Sequence, residues 1–269
     1  MIFRKMLFGG LLATLILTSI EIGESRLNRT SAQLDVTPGR SHIPMIHVRH
    51  GRGSATSTNW SGYAVTGANG SVSDVKASWV VPPITAGSCT STSTNQYASI
   101  WVGIDGYSSS TVEQIGTDSD CVNGKAVYYV WYEMYPHWSY TVNSVPIKDG
   151  DLISAEVSAN AKGTFTLTLT NPRTGTFTIS AKMPSADRSS AEWILEAPWS
   201  GGVLPLANFG TALFGPQNTA VTSTNKGPIG SFDNIKIDMV DKKGALKAQT
   251  YSLLGDNSSF SIGWVSAGP

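Results

Sequence analysis

The residues best suited to chemistry are several acids and one glutamine that lie beside tryptophans in four short stretches of the chain. Few other catalytic groups are available, because three of the four histidines stand at positions 42, 47 and 50 and the chain has only two cysteines. A catalytic site would therefore have to consist of carboxylates and side-chain amides. The four stretches are 101–106, 113–116, 131–136 and 191–196.

Strand geometry places the acids and tryptophans of these stretches on shared surfaces. Residues two apart on a strand face the same side of a sheet, so Trp131, Glu133 and Tyr135 are expected to project together. The same alternation puts Glu192 and Glu196 on one face of their strand. The pattern predicts a concave sheet face that carries a polar groove with aromatic walls.

Short β-branched and aromatic runs, separated by Gly, Asn and Pro turns, make up most of the chain. Residues 164–170 alternate threonine with Phe or Leu, and Asn123-Gly124 predicts a tight hairpin turn. We therefore expect an all-β fold, an antiparallel β-sandwich of two sheets of the concanavalin-like or jelly-roll type. The expected strands include 72–81, 97–104, 126–135, 152–157, 164–170, 176–182, 192–196, 235–240, 250–254 and 260–265.

The N-terminus has the layout of an export signal. Arg4 and Lys5 precede an apolar run from Met6 to Ile20, which is shorter than the roughly 20 apolar residues that a membrane span needs. We expect residues 1–32 to act as a signal peptide and the protein to be secreted. No membrane association is expected after the signal is removed.

Residues 33–53 differ in charge from the remainder of the chain. They contain three arginines and three histidines but one acid, whereas residues 54–269 contain 12 Lys and Arg against 16 Asp and Glu. Two interpretations are open: a basic pro-segment that covers an acidic surface until it is removed, or a leader that acts only as a spacer. Without a visible repeat or linker, residues 54–269 are expected to form a single β-sandwich domain.

The composition of this domain also limits its partners. Its acidic balance disfavours nucleic-acid binding, and its few positive charges limit repulsion in strong acid. A monomer without metal or other cofactor is expected. In an exported chain, Cys89 and Cys121 are expected to pair, which would close a loop of about 30 residues and stabilise the fold by about 3 kcal/mol.

The four stretches also resemble a known family. In this order and at these separations, Trp-Val-Gly-Ile-Asp-Gly, Trp-Tyr-Glu-x-Tyr-Pro and Ala-Glu-Trp-Ile-x-Glu are similar to motifs of the glutamic peptidases, also called eqolisins. The resemblance implies a secreted, acid-acting endopeptidase with polypeptide substrates, built on two antiparallel sheets. It implies Gln114 and Glu196 as the catalytic pair. The substrate-binding groove would contain Trp60, Trp101, Asp105, Trp131, Glu133 and Tyr135.

The chain departs from the family pattern at two places. Glu113-Gln114-Ile115-Gly116 stands where the family commonly has Leu-Gln-Thr-Gly, and Tyr129 stands where it often has an acid. Glu192 occupies the earlier glutamate position of the segment that ends at Glu196. These differences concern the tuning of the pair and leave the pair itself in place.

The implied chemistry needs neither a metal nor a nucleophilic side chain. Ionised Glu196 would accept a proton from water and pass it to the leaving nitrogen, while the Gln114 amide would donate to the oxyanion. Because an ordinary glutamate titrates near 4.3, we expect activity from roughly pH 2 to 5. Acid would also weaken the attraction between a basic pro-segment and the acidic groove, and so permit self-cleavage.

A carbohydrate-active β-sandwich is the main alternative, either as a glycosidase or as a lectin-like module. Asp105, Glu133 and Glu196 beside tryptophans would also suit a sugar. Gln114 distinguishes the two, because a glycosidase has no need of it. Serine-protease chemistry would require His137, which follows Tyr135-Pro136 and is expected in a turn.

Overall fold

The structure, a computed structural model, describes residues 34–36, 40–51 and 53–268. The expected signal peptide lies outside these residues. Within them, no helix is long and apolar enough to cross a membrane, and the helical element is a 3-10 turn, Ile229–Ser231. The strands are β1 Leu34–Val36, β2 His47–Gly51, β3 Ser54–Ser57, β4 Trp60–Thr66, β5 Val72–Val80, β6 Ser99–Ile104, β7 Val112–Val122, β8 Lys125–Tyr135, β9 Tyr140–Val142, β10 Leu152–Ala159, β11 Thr164–Asn171, β12 Gly175–Lys182, β13 Ser190–Glu196, β14 Thr211–Phe214, β15 Thr219–Thr222, β16 Lys226–Pro228, β17 Asn234–Val240, β18 Leu246–Thr250 and β19 Phe260–Trp264.

The strands pair into two sheets that are joined along one side. The first sheet has the order β1-β9-β8-β7-β6-β13-β4-β17-β3-β2, and all neighbours are antiparallel except β17 and β3. The second has the order β18-β19-β14-β5-β10-β11-β12, with the β15–β16 hairpin on the same edge of β5 as β14. Strand β17 pairs first with β4 and then with β18, which connects the sheets. The predicted all-β antiparallel sandwich is confirmed.

The main core lies between the two sheets. On β11, Phe165, Leu167 and Leu169 are fully buried while the intervening threonines pair with hydroxyls of β12, as the alternation predicts. Trp193 of β13 faces this core, and its ring nitrogen donates to the Lys76 carbonyl at 2.7 Å. Both sheets thus keep one face apolar, which leaves the other face of the first sheet available for polar side chains.

A second apolar cluster lies on that other face. Trp60, Trp101, Trp131 and Ile194 are at most 1% exposed there, although they are on the side of the sheet away from the main core. They are covered in part by Met45, which belongs to the segment before β2. This cluster forms the floor of the candidate site.

Two local predictions are confirmed next to this face. Asn123 and Gly124 join β7 to β8 with φ values of 51° and 74°, the left-handed conformation that a two-residue hairpin turn requires. Cys89 and Cys121 form a disulfide, which ties the loop before β6 to the end of β7. The strand expected at 250–254 is wrong, because β18 ends at Thr250 and the exposed Leu254 leads into a turn.

Gly116 marks the closest approach of β7 to Trp101. A Cβ at this position would lie 2.4 Å from the Ile100 carbonyl oxygen and 2.6 Å from the Trp101 Cβ. We expect Gly116→Ala to destabilise the fold by about 1–3 kcal/mol, because backbone atoms would have to move. Thermal unfolding should show a Tm lower by about 2–4 °C per kcal/mol. The matched control is Gly202→Ala, where a Cβ meets nothing within 4 Å; equal Tm values for the two variants would contradict this explanation.

Candidate active site

Gln114 and Glu133 lie side by side on neighbouring strands. They are register partners on β7 and β8, both are fully buried, and Gln114 Nε2 donates to Glu133 Oε2 at 3.3 Å. On the other side of β7, Gly103 of β6 stands opposite Gln114, and a Cβ there would lie 3.1 Å from the Gln114 Cβ. The sheet therefore holds this amide in a narrow space with its nitrogen available as a donor.

Glu196 ends β13 with both carboxylate oxygens engaged. Trp101 Nε1 donates to Oε2 at 2.9 Å, and Asn59 Nδ2 lies 3.4 Å from Oε1. Trp60 packs edge-on against Trp101 with ring centroids 4.9 Å apart, and its own Nε1 donates to the Ile43 carbonyl at 3.1 Å. The two tryptophans thus orient the carboxylate and exclude water around it.

Residues 40–46, within the predicted pro-segment, lie across this face of the first sheet. Ser41 and Trp199 exchange two backbone hydrogen bonds of 3.0 and 2.9 Å, in an antiparallel bridge. Further along, the Met45 amide donates to the Gly106 carbonyl at 3.0 Å. The segment is held through its backbone at both ends, in the way that an added strand binds a sheet edge.

One peptide group of this segment meets the predicted catalytic pair. Gln114 Nε2 donates to the His42 carbonyl oxygen at 2.5 Å. The Asn59 amide that lies beside Glu196 is also 3.3 Å from the next carbonyl oxygen, that of Ile43. The bond between residues 42 and 43 therefore has Gln114 at its carbonyl oxygen, while Asn59, which contacts Glu196, lies at the carbonyl oxygens of residues 43 and 44.

The His42 imidazole occupies a pocket of complementary groups. Its ring stacks on Trp131 with centroids 3.4 Å apart and an interplanar angle of 2°. Nδ1 lies 3.2 Å from Glu133 Oε2, while Nε2 lies 3.0 Å from Ser99 Oγ and 3.6 Å from Asp118 Oδ1. Burial alone would lower the pKa of His42, but the two carboxylates raise it to about 10. The ring is held as an imidazolium.

A second cationic side chain of the segment also meets carboxylates. Arg40 contacts Asp118 at 3.5 Å and forms a shorter ion pair with Asp120. Its guanidinium lies 4.6 Å from the centre of the Tyr97 ring, and the Tyr129 hydroxyl donates to Asp118 at 2.6 Å. Burial and the neighbouring Asp118 charge raise the pKa of Asp120 to about 7. The basic residues of the segment thus face the acids of β7.

The segment of residues 40–46 and the neighbouring side chains shift the pKa of Glu196. Burial raises its pKa well above the ordinary value, whereas the His42 imidazolium lowers it. The nearby Glu133 carboxylate raises it further, and the hydrogen bonds from Trp101 and Asn59 partly oppose this. Burial beneath the segment therefore disfavours the ionised form of Glu196, which is the form that a general base requires.

Two of the predicted groove residues lie apart from these contacts. The Asp105 carboxylate accepts hydrogen bonds from the backbone amides of Arg188 at 2.6 Å and Ser189 at 2.8 Å, which fixes the entry to β13. Tyr135 ends β8 partly exposed and packs against the second apolar cluster. The remaining predicted site residues meet at the segment: Gln114, Glu196, Trp60, Trp101, Trp131 and Glu133.

Other candidate acids and bases are less suited to proton transfer. Burial raises the pKa of Glu192 well above its ordinary value, with added repulsion from Asp105 and Glu113. Burial and the Asp105 charge likewise raise the pKa of Glu113 to about 9. His137 is exposed in the turn after β8, as predicted. What separates the two glutamates of β13 is their contacts, because Trp101 donates to Glu196 and Glu192 stands opposite Gly103.

Sequence reasoning missed several side chains that contact the segment: Asn59, Ser99, Asp118 and Asp120. The signal for the two aspartates was present, because Asp118 and Asp120 follow Gln114 at even spacing and therefore share its face of β7. Ser99 is the register partner of both Asp118 and Glu196. Only the pairing of β6 with β7 and β13 shows that Ser99 lies between Asp118 and Glu196.

Comparison with known proteins gives consistent matches. The model of the Peptidase A4 family matches residues 58–264. Scytalidopepsin B of Scytalidium lignicola is 29% identical over 195 residues, which cover 68% of this chain and 70% of that protein. The crystal structure of scytalido-glutamic peptidase with a transition state analog inhibitor matches with a TM-score of 0.64 at 24% identity, covering 77% of this chain and 98% of that one. Aspergilloglutamic peptidase from Aspergillus niger matches with a TM-score of 0.56 at 27% identity, covering 63% and 99%.

Proposed function

Because the chain belongs to the Peptidase A4 family, whose members are glutamic endopeptidases, we propose that Gln114 and Glu196 hydrolyse peptide bonds in acid, outside the cell. The observation that carries this proposal is the contact between Gln114 and the His42 carbonyl. Here a buried side-chain amide binds a peptide carbonyl. Among the described residues, Glu196 is the only carboxylate that accepts a hydrogen bond from a tryptophan. A substrate carbonyl would take the same place.

The proposed reaction uses one base and one oxyanion donor. Ionised Glu196 accepts a proton from water as the water oxygen bonds to the carbonyl carbon. The Gln114 amide donates to the oxygen that becomes negative, and removal of such a donor typically slows a reaction about 100- to 1,000-fold. Glu196 then returns the proton to the nitrogen as the carbon–nitrogen bond breaks. Trp101 and Asn59 hold the carboxylate through both transfers.

Latency before activation is explained by the segment over the site. Residues 40–46 fill the groove, and the His42 carbonyl occupies the Gln114 donor that a substrate carbonyl would need. Acid weakens this contact, because protonation of Asp118 and Asp120 removes charges that bind His42 and Arg40. We therefore extend the proposal to a precursor whose leader blocks the groove near neutral pH and whose weaker attachment in acid permits self-cleavage.

Parts of the fold suit an acidic environment. The Arg173 side chain donates to Asp151 at 2.9 Å and lowers the pKa of that carboxyl to about 2. Because this pKa lies below the ordinary value of 3.8, the stabilisation is complete above pH 4 and is lost only as the pH falls through about 2. The basic, then apolar N-terminal sequence and the Cys89–Cys121 disulfide support secretion.

The test is proteolysis of a denatured protein by the purified full chain between pH 2 and 8. We expect cleavage confined to roughly pH 2–5, where an ordinary glutamate is partly ionised. Pepstatin and a metal chelator should leave the rate unchanged, because neither an aspartate pair nor a metal takes part. A flat profile that extends to neutral pH, or complete inhibition by pepstatin, would contradict the proposal.

A further inference from the structure

We propose that the bond between His42 and Ile43 is the one that this enzyme hydrolyses in its own leader, and that the His42 side chain selects it. The inference rests on the proposed function, since Glu196 and Gln114 would perform the reaction. Three independent features carry it: the position of the carbonyl, the backbone contacts on both sides of the bond, and the pocket around the imidazole.

The first feature is the position of the peptide group. The His42 carbonyl oxygen accepts from Gln114 Nε2 at 2.5 Å, the contact that an oxyanion donor must make. Asn59 Nδ2 lies 3.4 Å from Glu196 Oε1 and 3.3 and 3.2 Å from the carbonyl oxygens of Ile43 and Pro44, so Glu196 and the residues just C-terminal to the bond share Asn59 as a neighbour. Within residues 40–46, the 42–43 bond is the one whose carbonyl oxygen accepts from Gln114.

The second feature is that the chain is fixed on both sides of this bond. On the acyl side, Ser41 and Trp199 exchange two backbone hydrogen bonds. On the amine side, the Met45 amide donates to the Gly106 carbonyl at 3.0 Å. A peptidase that cuts within a chain needs such contacts on both sides, because they align the carbonyl with the catalytic groups.

The third feature is the fit of His42, which is 2% exposed, whereas Ser41 and Ile43 are only half-buried. The Trp131 ring stacks on the imidazole of His42. The imidazole Nδ1 faces an oxygen of Glu133, and its Nε2 faces the hydroxyl oxygen of Ser99. A shift of the chain by one residue would leave these buried acceptors without a partner, which is costly. The pocket therefore fixes the register of the leader.

The step itself is a simple hydrolysis. Water enters between Glu196 and the His42 carbonyl and restores hydration to the carboxylate, which loses its proton more readily. The water oxygen bonds to the carbonyl carbon, its proton passes through Glu196 to the Ile43 nitrogen, and the carbon–nitrogen bond breaks. The products are a carboxyl group on His42 and an amino group on Ile43. No oxidant, metal or second substrate is needed.

This assignment differs from the domain boundary expected between residues 53 and 54. Cleavage after His42 would leave Met45 buried in the second apolar cluster and β2 paired with β3. The cleaved enzyme would therefore begin at Ile43 and retain residues 43–51 as part of its first sheet. Only the residues N-terminal to Ile43, including Arg40, would leave the groove.

The experiment monitors the full chain in acid by intact mass and N-terminal analysis. We expect a product that begins at Ile43, and none from Glu196→Gln. The change His42→Ala should slow cleavage at this bond by about 10-fold or more, the loss expected when a recognised hydrogen-bonding side chain is removed. The matched control is His50→Ala, which removes an exposed histidine of the same leader and should process normally.

The outcomes separate this inference from the proposed function. A Glu196-dependent product that begins at another residue would overturn the 42–43 assignment and leave the peptidase function standing. Absence of Glu196-dependent cleavage of any protein would overturn both. Normal cleavage at 42–43 by the His42→Ala chain would overturn the role of the imidazole.

Selection by His42 can also be measured without catalysis. In the inactive Glu196→Gln chain, hydrogen exchange of the Met45 amide reports whether the leader stays in register, because that amide donates to Gly106. Adding His42→Ala should speed its exchange about 10-fold or more, whereas adding His50→Ala should not. Equal exchange in the two double variants would contradict selection by the imidazole.

Discussion

Replacing Glu196 with glutamine should reduce peptide-bond hydrolysis at pH 3 by about 100- to 10,000-fold, the range that general acid–base catalysis contributes. The substitution preserves shape, and its amide oxygen can still accept from Trp101, so the wall of the site stays in place. It removes the base that activates water and the acid that protonates the leaving nitrogen. The measurement is kcat/KM on a fluorogenic peptide between pH 2 and 5.

The matched control is Glu192→Gln, four residues earlier on β13. Glu192 lies on the same face and is equally buried, but it stands opposite Gly103 of β6, whereas Trp101 donates to Glu196 beside Ser99. Its replacement by a neutral amide should therefore change kcat/KM by less than about threefold, within the small effect of a substitution away from the reacting groups. An inactive Glu192 variant beside an active Glu196 variant would reverse the assignment of the two glutamates.

Much of the fold could be predicted because alternation fixes which face of a strand is buried. Residues 164–170 show this directly, since Phe165 and its apolar neighbours must face the core and the threonines must face away. The Asn123-Gly124 turn could be predicted because few residues adopt two successive positive φ values. These features depend on local sequence, so they can be predicted without knowledge of distant packing.

The burial of strand β7 could not be predicted from its local sequence pattern. Residues 112–122 are polar on one face, with the sequence Val-Glu-Gln-Ile-Gly-Thr-Asp-Ser-Asp-Cys-Val, and still almost all are buried. The polar face is covered by residues 40–46, whose cations meet Asp118 and Asp120. Because this burial depends on a segment about 70 residues away in sequence, no periodicity within β7 indicates it.

The candidate site could be predicted in its residues but not in its contacts with the leader. The sequence motifs propose Gln114, Glu133 and Glu196 as site residues. Their relation to the leader could not be predicted, because docking of residues 40–46 depends on three-dimensional fit. The carbohydrate-active alternative is set aside by the family assignment, which is that of a peptidase. Asp105 also lies in backbone contacts at Arg188 and Ser189 rather than beside Glu196, so the three acids do not form one sugar site.

Replacing Gln114 with methionine should lower kcat by about 100- to 1,000-fold, because the oxyanion loses a preorganised donor. Methionine fills a similar volume in the narrow space beside Gly103, so the change tests the amide rather than the packing. Because the donor acts most strongly on the charged transition state, kcat should fall much more than KM changes. The measurement is the kcat and KM of the acid-activated full chain on the same fluorogenic peptide.

The control for this variant is Gln217→Met, which changes an exposed glutamine in the turn between β14 and β15 and should leave kcat unaltered. Thermal unfolding of both variants separates a folding defect from loss of the donor. If Gln114→Met keeps wild-type kcat, Glu196 would have to act without a side-chain oxyanion donor, and the contact with the His42 carbonyl would serve only to hold the leader. If kcat falls while the Tm is maintained, the same nitrogen that binds the leader stabilises the transition state, and the leader blocks the enzyme because it occupies the position of the substrate.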